Sequence, residues 1–331
     1  MLRSHSRALW RAVVNLMMCT LALAAAPASA AQASFPSRPI TLVVPYGPGG
    51  ETDIFARAIA NDLGNVLGQP IVVLNRPGAT GIVGTEFVAR SEPDGYTLVF
   101  GTAATHALNV SVFKNLPYDP LKDFAPVAFV GSVPLVLLAH PSMPADVREL
   151  VARLKADPDK YFYGAAGIST SYLGMELFLN AASASAVHVP YKGTGEAVQD
   201  LIAGQVQLMG GSIGVGLPLV QAGKVRAIAV LGKERMVAAP DIPTLAEAGG
   251  MDLEVGTWNV VMAPAGTPQA VVARLNAAVN QVMRDPSVQQ RLLKLGITPV
   301  ADSTPASTAD RVAAEITKWR QAFELSGAQP Q

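Results

Sequence analysis

The sequence predicts an α/β chain of two lobes, each a mainly parallel sheet flanked by helices, and three observations carry that prediction. Short apolar runs alternate with helix-patterned segments, the order that buries parallel strands under helices on both faces. A length of 331 residues suits two domains of about 150 each. Two strand-to-helix turns, 44–53 and 163–171, are rich in glycine and hydroxyl residues, one in each half.

Taken in order, Ile40 to Val44 reads as a strand ended by Pro45 and a glycine-rich turn. A helix follows with Ile54, Ala58, Ile59, Leu63 and Leu67 on one face, and Gly68 stops it. Ile71 to Leu74 is the next strand, Ile82 to Ala89 a short helix, and Thr97 to Phe100 a strand after the Pro93-Asp94-Gly95 turn. The pattern resumes with strands at Val133 to Ala139, Phe162 to Gly164, Val187 to Val189, Val206 to Met209 and Val225 to Leu231. Between them helices are expected at Asp146 to Ala156, Ser171 to Ala181, Gly195 to Ala203 and Val215 to Ala222. Two amphipathic helices close the chain, Pro268 to Met283 and Asp310 to Phe323, with Pro268 at N1 behind Thr267 as cap. The stretches at about 128–134 and 252–260 read as extended chain suited to crossing between lobes.

The first thirty residues read as an address. Arg3, Arg7 and Arg11 form a positive leader, Ala12 to Ala26 is a mostly apolar run of 15 residues, and Ala28-Ser29-Ala30 follows Pro27. A membrane span needs about 20 apolar residues, so the run fits a secretory signal peptide with an A-x-A cleavage site. Cleavage after Ala30 or Ala33 both satisfy the pattern, and the expected destination is the periplasm. Removing residues 1–30 leaves 22 basic and 25 acidic side chains, a net charge of −3, and no cysteine. That suits an oxidising compartment and offers no basic field for nucleic acid.

The two turns are the chemical signal. In Val44-Pro45-Tyr46-Gly47-Pro48-Gly49-Gly50-Glu51-Thr52-Asp53, glycines expose backbone N–H groups at a helix start, where unpaired donors and the dipole favour an anion. Gly164-Ala165-Ala166-Gly167-Ile168-Ser169-Thr170-Ser171 repeats the arrangement with three hydroxyls. Facing one another, the two would hold a small molecule with anionic ends. Each is equally an ordinary capped turn taken alone. Gly210-Gly211-Ser212-Ile213-Gly214 matches G-x-S-x-G, yet His106, His140 and His188 all precede Ser212, against the order of an α/β-hydrolase. The segment therefore reads as a glycine-rich turn lining the cleft. No P-loop, no dinucleotide fingerprint and no histidine pair at metal-ligand spacing is present, so no cofactor, metal or catalytic residue is expected. Lys192 reads as a solvated loop lysine before a cleft cation, and Trp258 as core or cleft wall equally.

The chain resembles the substrate-binding proteins of the tripartite tricarboxylate transporter system, the Bug family. The carrying motifs are Val44-Pro45-Tyr46 with Pro48-Gly49-Gly50 and Asp53, Leu67-Gly68-Gln69-Pro70, Asn75-Arg76-Pro77-Gly78-Ala79 and Pro93-Asp94-Gly95-Tyr96-Thr97-Leu98. Leu116-Pro117-Tyr118-Asp119-Pro120, His188-Val189-Pro190-Tyr191-Lys192-Gly193, Ala222-Gly223-Lys224-Val225-Arg226-Ala227, Pro243-Thr244 with Glu247-Ala248-Gly249, and Ala263-Pro264-Ala265-Gly266-Thr267-Pro268 continue it. The resemblance implies a two-lobed, type II-like periplasmic binding fold with its ligand cleft between the lobes. Lobe one would hold 35–130 and 254–331, and lobe two 131–253. It further implies a monomeric, non-enzymatic protein that captures a small carboxylate for membrane permease subunits, or a sensor presenting its ligand to a membrane kinase. An exported serine hydrolase using Ser212 is the remaining alternative. Carried over by position, Tyr46, Gly49, Gly50, Thr52 and Asp53 would form one carboxylate site with Thr102 and Ala103 at its rim. Ser169, Thr170 and Ser171 would form the other, with Thr194 and Ser212 nearby. Two positions depart from the family pattern. Tyr172-Leu173 stands where a histidine is usual, and Gly210-Gly211-Ser212 where an aspartate or other polar residue is common. The second change removes an acceptor for an ammonium group and favours a carboxylate without an amine.

Overall fold

Strands form where the β-branched runs are flanked by turn residues, and helices where the apolar period lengthens to that of an α-turn. A computed structural model describes residues 35–331, and one body runs from Arg38 to Gln331. The expected signal peptide lies outside the described residues. No helix among the described residues is long and apolar enough to cross a membrane.

The first half runs β1 (Ile40–Val44), α1 (Glu51–Leu67), β2 (Ile71–Asn75), α2 (Ile82–Ala89) and β3 (Thr97–Thr102), then a π-turn at Ala104–Leu108 leading into α3 (Asn109–Val112). β4 (Phe124–Ala139) follows as a long strand. The second half runs α4 (Val147–Ala156), β5 (Phe162–Ala166), α5 (Thr170–Ala182), β6 (Val187–Tyr191), α6 (Thr194–Ala203), β7 (Leu208–Ser212), α7 (Ile213–Gln221), β8 (Arg226–Leu231) and α8 (Leu245–Gly249). β9 (Gly256–Pro264), α9 (Gln269–Arg284), α10 (Pro286–Lys294), β10 (Thr298–Pro299) and α11 (Pro305–Leu325) complete the chain.

The strands join in the order β2-β1-β3-β9-β4-β7-β5-β6, with β8 and β10 also on β4. β1 pairs in parallel with β2 and β3, and β5 in parallel with β6 and β7, as buried βαβ units require. The antiparallel members are β4 and β9. β4 pairs with β9 from Phe124 to Pro134, then changes partners and pairs with β7 and β8 from Leu135 to Ala139. The segments expected as extended crossings are thus ladder strands, and β4 is shared by both halves of the sheet.

Several expectations are corrected. Ile54 is 43% exposed, and the buried face of α1 is Asp53, Phe55, Ala56, Ile59, Ala60, Leu63 and Leu67. Phe55 turns the face because its ring packs edge-on to Phe100 at 5.1 Å. β7 lies two residues beyond the expected Val206 to Met209, so Gly210, Gly211 and Ser212 are strand residues and not a turn. A Cβ on Gly211 would sit 2.9 Å from Leu138 Cδ1, which is why small residues suit this strand against β4. Pro268 occupies the cap position of α9 itself, and the Thr267 hydroxyl donates to the Pro264 carbonyl at 2.8 Å instead of capping. α11 begins at Pro305 behind a Thr304 capping box, ahead of the expected Asp310. Trp258 is core: it is buried against Phe129, and its Nε1 donates to the buried Glu315 at 2.9 Å.

Candidate ligand-binding site

The first turn is built around a carboxylate that faces inward. Asp53, 3% exposed, accepts from the Gly49 N–H at 2.9 Å, from Arg57 Nε at 3.0 Å and from Asn75 Nδ2 at 2.9 Å. Asn75 Nδ2 also donates to the Tyr46 carbonyl at 3.0 Å, tying the end of β2 to the loop. Burial by itself would push the Asp53 carboxyl up; the bonds from Arg57, Gly49 and Asn75 outweigh it and hold the carboxyl below the usual range. With its oxygens so engaged, Asp53 shapes the loop from beneath. Gly49 takes φ 78° in open space, so the backbone conformation, not crowding, calls for glycine there. The first helical bond of α1 is Ile54 N–H to the Gly50 carbonyl at 2.9 Å. The N–H groups of Glu51, Thr52 and Asp53 therefore have no intrahelical acceptor and are free to meet an anion.

A hydroxyl chain backs this loop. The Tyr46 hydroxyl shares a hydrogen bond with Thr102 Oγ1 at 2.9 Å, Thr102 lies 3.4 Å from Thr105 Oγ1, and Thr105 meets His106 Nδ1 at 2.8 Å. Burial pushes the Tyr46 phenol up to about 12, with the Thr102 bond opposing, and holds His106, fully buried, down at about 3. Gly81, at φ 86°, lets this wall close up, since a Cβ there would meet Thr105 Cγ2 at 2.6 Å and the Tyr46 ring at 3.2 Å. Thr102 is 3% exposed and Ala103 fully buried, so both stand behind the loop, with the Thr102 hydroxyl already committed.

The second turn uses neutral groups. Ser169 caps α5, accepting from the Tyr172 N–H at 3.3 Å, and the Ser171 hydroxyl donates to the Gly210 carbonyl of β7. Beneath it His188 packs on Tyr163 and Tyr172, ring centroids 5.1 and 4.5 Å away, with Nε2 3.4 Å from the Ala165 carbonyl. Desolvation lowers the His188 pKa, and the Ala165 bond opposes it. Thr170 opens α5, Thr194 opens α6 from an exposed position, and Ser212 stands at the cap position of α7 without a side-chain cap bond. Lys192 is exposed.

The first turn approaches the end of β7 at a residue that sequence reasoning passed over. Glu51, the first residue of α1, lies near enough to the Ser212 hydroxyl at the end of β7 for that hydroxyl to influence its carboxyl. Desolvation raises its pKa and the Ser212 hydroxyl opposes that rise. The residue as a whole is exposed to solvent. Glu51 was legible as an acid beside Gly49-Gly50, but only the fold brings Ser212 to it. Among the described residues no hydrogen bond joins Ser212 to a histidine: His106 bonds Thr105, His140 bonds Ser142 at 2.8 Å, and His188 lies under the second turn. Among the described residues no group of histidine, cysteine and carboxylate side chains could hold a metal ion. A separate cavity of about 230 Å³, lined by Val133, Lys233, Glu254, Trp258 and Arg311, lies where β4 and β9 pair. It is remote in sequence from both turns and includes none of their residues.

Comparison with known proteins follows this geometry. Residues 55–326 match the model of the tripartite tricarboxylate transporter family receptor. Protein BugT of Bordetella pertussis is 38% identical over 320 residues, covering 96% of this chain and 97% of the relative. The structure of MatC from Rhodopseudomonas palustris with bound malate is 38% identical with TM-score 0.74, covering 87% of this chain and 99% of that one. The R. palustris protein Rpa4515 with adipate is 36% identical with TM-score 0.80, covering 90% and 100%.

Proposed function

This chain belongs to the tripartite tricarboxylate transporter receptor family, and from that premise we propose that it captures a small carboxylate between its two turns and delivers it to membrane permease subunits. The family is one of periplasmic solute-binding proteins, not enzymes. The observation that carries the proposal is the first turn, where the N–H groups of Glu51, Thr52 and Asp53 lack an intrahelical acceptor above a loop fixed by Asp53, with Glu51 near Ser212 of the second half. One ligand carboxylate rests on the N–H groups of Glu51, Thr52 and Asp53, and the hydroxyls of Ser169, Thr170, Ser171, Thr194 and Ser212 serve the far end. Two relatives hold malate and adipate, acids with a carboxylate at each end.

The lobes divide as 35–130 with 254–331 against 131–253, joined through β4 and β9. The change of partner at Pro134–Leu135 supports a hinge there, because one strand bends where its ladder changes. Closing the lobes over the ligand excludes water and strengthens donor–carboxylate bonds. The test is a thermal-shift screen against organic acids. An acid at 100 times its dissociation constant stabilises by about 2.7 kcal/mol. A screen in which only uncharged solutes raise the melting temperature refutes the proposal.

A further inference from the structure

His106 is a fully buried polar ring to which carboxylate capture gives no task. Its place is fixed by a glycine in β3: a Cβ on Gly101 would collide with His106 Nδ1 and Cε1, so the ring lies directly on the strand. Phe124 packs against it edge-on, ring centroids 5.0 Å apart. In that position Nδ1 stands 2.8 Å from Thr105 Oγ1, while Nε2 is buried without a hydrogen-bond partner. No carboxylate bonds either nitrogen, so the ring is neutral and carries one proton on one of two atoms.

The orphaned Nε2 decides which. A proton on Nε2 would bury an N–H group with nothing to receive it. A proton on Nδ1 leaves Nε2 a bare acceptor and gives the N–H to Thr105 Oγ1. Proteins tolerate an idle buried acceptor better than an idle buried donor. His106 is therefore the Nδ1–H tautomer, donating to Thr105.

That choice sets the direction of every bond up to the donor loop. A hydroxyl oxygen accepts twice and donates once. Thr105 Oγ1 already accepts from the Thr102 N–H at 3.0 Å, and the His106 N–H fills its second place. Its own hydrogen goes to Thr102, whose carbonyl lies at 3.3 Å and whose Oγ1 lies at 3.4 Å. The Thr102 hydroxyl then finds no vacancy on Thr105 and donates to the Tyr46 oxygen at 2.9 Å. Tyr46 thus receives a hydrogen bond and keeps its own hydrogen, for which the described residues show no second partner. The opposite tautomer reverses the arrows, and Tyr46 would spend its hydrogen on Thr102.

We infer that His106 is a positioning residue of the ligand site: through Thr105 and Thr102 it holds the Tyr46 O–H as a donor reserved for the ligand carboxylate. The inference rests on the carboxylate capture proposed above and adds a side-chain donor to the backbone donors of the first turn. A hydroxyl oriented before the ligand arrives loses less freedom on binding, and its bond to a charged acceptor is the strong kind. Half-buried Tyr46 stands in the loop that carries those backbone donors, whereas His106 lies too deep to touch the ligand itself.

The experiment has two arms. Nitrogen NMR of the unaltered, ligand-free protein reads the His106 tautomer directly, and the Nδ1–H form is expected. Calorimetry with malate, adipate, succinate, glutarate and benzoate then compares variants on the acid that binds tightest. Tyr46→Phe weakens binding about tenfold, the worth of one hydrogen bond to a charged acceptor. His106→Leu, which removes the donor, weakens it comparably and adds nothing in the Tyr46→Phe background. His106→Asn, whose side-chain N–H takes the place of Nδ1, stays within about twofold of the parent. Thermal unfolding confirms that each variant is folded, and the tautomer and Tyr46→Phe decide the matter if a His106 variant is not. An Nε2–H tautomer overturns the inference and leaves the carboxylate capture standing. So does unchanged affinity in Tyr46→Phe, or an equal loss in His106→Asn and His106→Leu. Binding of none of these acids by the parent overturns the capture itself and the inference with it.

Discussion

The loop before α1 and the turn before α5 present similar donors by different means. In the first, a buried carboxylate paired with a half-exposed arginine fixes the backbone: Asp53 holds Gly49, Arg57 and Asn75, and Asn75 holds Tyr46. In the second, serines and a ring stack do so: Ser169 caps, Ser171 reaches the Gly210 carbonyl, and His188 packs on Tyr163 and Tyr172. The contrast teaches that a loop of exposed backbone N–H groups can be held in shape by ionic or by neutral support. An inward carboxylate organises many donors at once but concentrates dependence on one residue. Serine caps spread the dependence over weaker bonds.

The largest expected effect sharpens this contrast through glycine. Gly81→Ala strains a φ of 86° and drives a Cβ to 2.6 Å from Thr105, so we expect a loss of about 3 kcal/mol in urea unfolding. Gly211→Ala, on the other side, meets the end of Leu138 at 2.9 Å, a flexible group that yields, and costs about 1 kcal/mol. Equal losses would show that the wall behind Tyr46 is no stiffer than β7.

Next comes the support itself. Asp53→Ala removes an acceptor of several charge-assisted bonds and costs about 2 kcal/mol, with ligand affinity falling through loss of loop order. Ser171→Ala removes one neutral bond and costs about 1 kcal/mol. If Asp53→Ala leaves calorimetric affinity unchanged, the carboxylate does not organise the donor loop.

The pH dependence separates the two regions again. His106 and His188 both have folded pKa values below the ordinary 6.5. For a depressed pKa the contribution is fully present above the unfolded value and is lost as pH falls through the folded one. Stability should therefore decline as pH drops below about 6.5, and for His106 the decline continues toward its folded value of about 3. Urea midpoints at pH 7 and pH 5 check this, and His106→Gln should flatten the slope more than His188→Gln. A steeper remaining slope in His106→Gln would place the sensitivity in the ring stack of the second turn.

The smallest effect concerns Thr194. Its side chain is exposed and makes no cap bond, so Thr194→Ala changes stability by less than about 0.5 kcal/mol. A lower affinity at unchanged stability places its hydroxyl on the ligand; no change in either removes it from the site.

The alternation of apolar runs and helical periods determined the α/β class, and most elements stand within a few residues of their expected places. Turn chemistry is local, so Gly68 ending α1 and Asp146 capping α4 are written in the chain. Which residues a helix buries is not local: Ile54 and Phe55 are both apolar, and only the position of Phe100 chose Phe55. Nor is strand register local, which is why Gly210 and Gly211 read as a turn until Leu138 and the Ser171 bond place them in β7. The donor loops were visible because exposed N–H groups follow from glycine and helix starts. Their supports, Asn75 beneath Asp53 and His106 behind Tyr46, were not, since they come from the end of β2 and from the π-turn after β3. Sequence by itself determined where unpaired donors would gather. Tertiary structure alone decided that Glu51 faces Ser212, because a contact between residues so far apart in the chain exists only once β4 and β9 bring the two halves together.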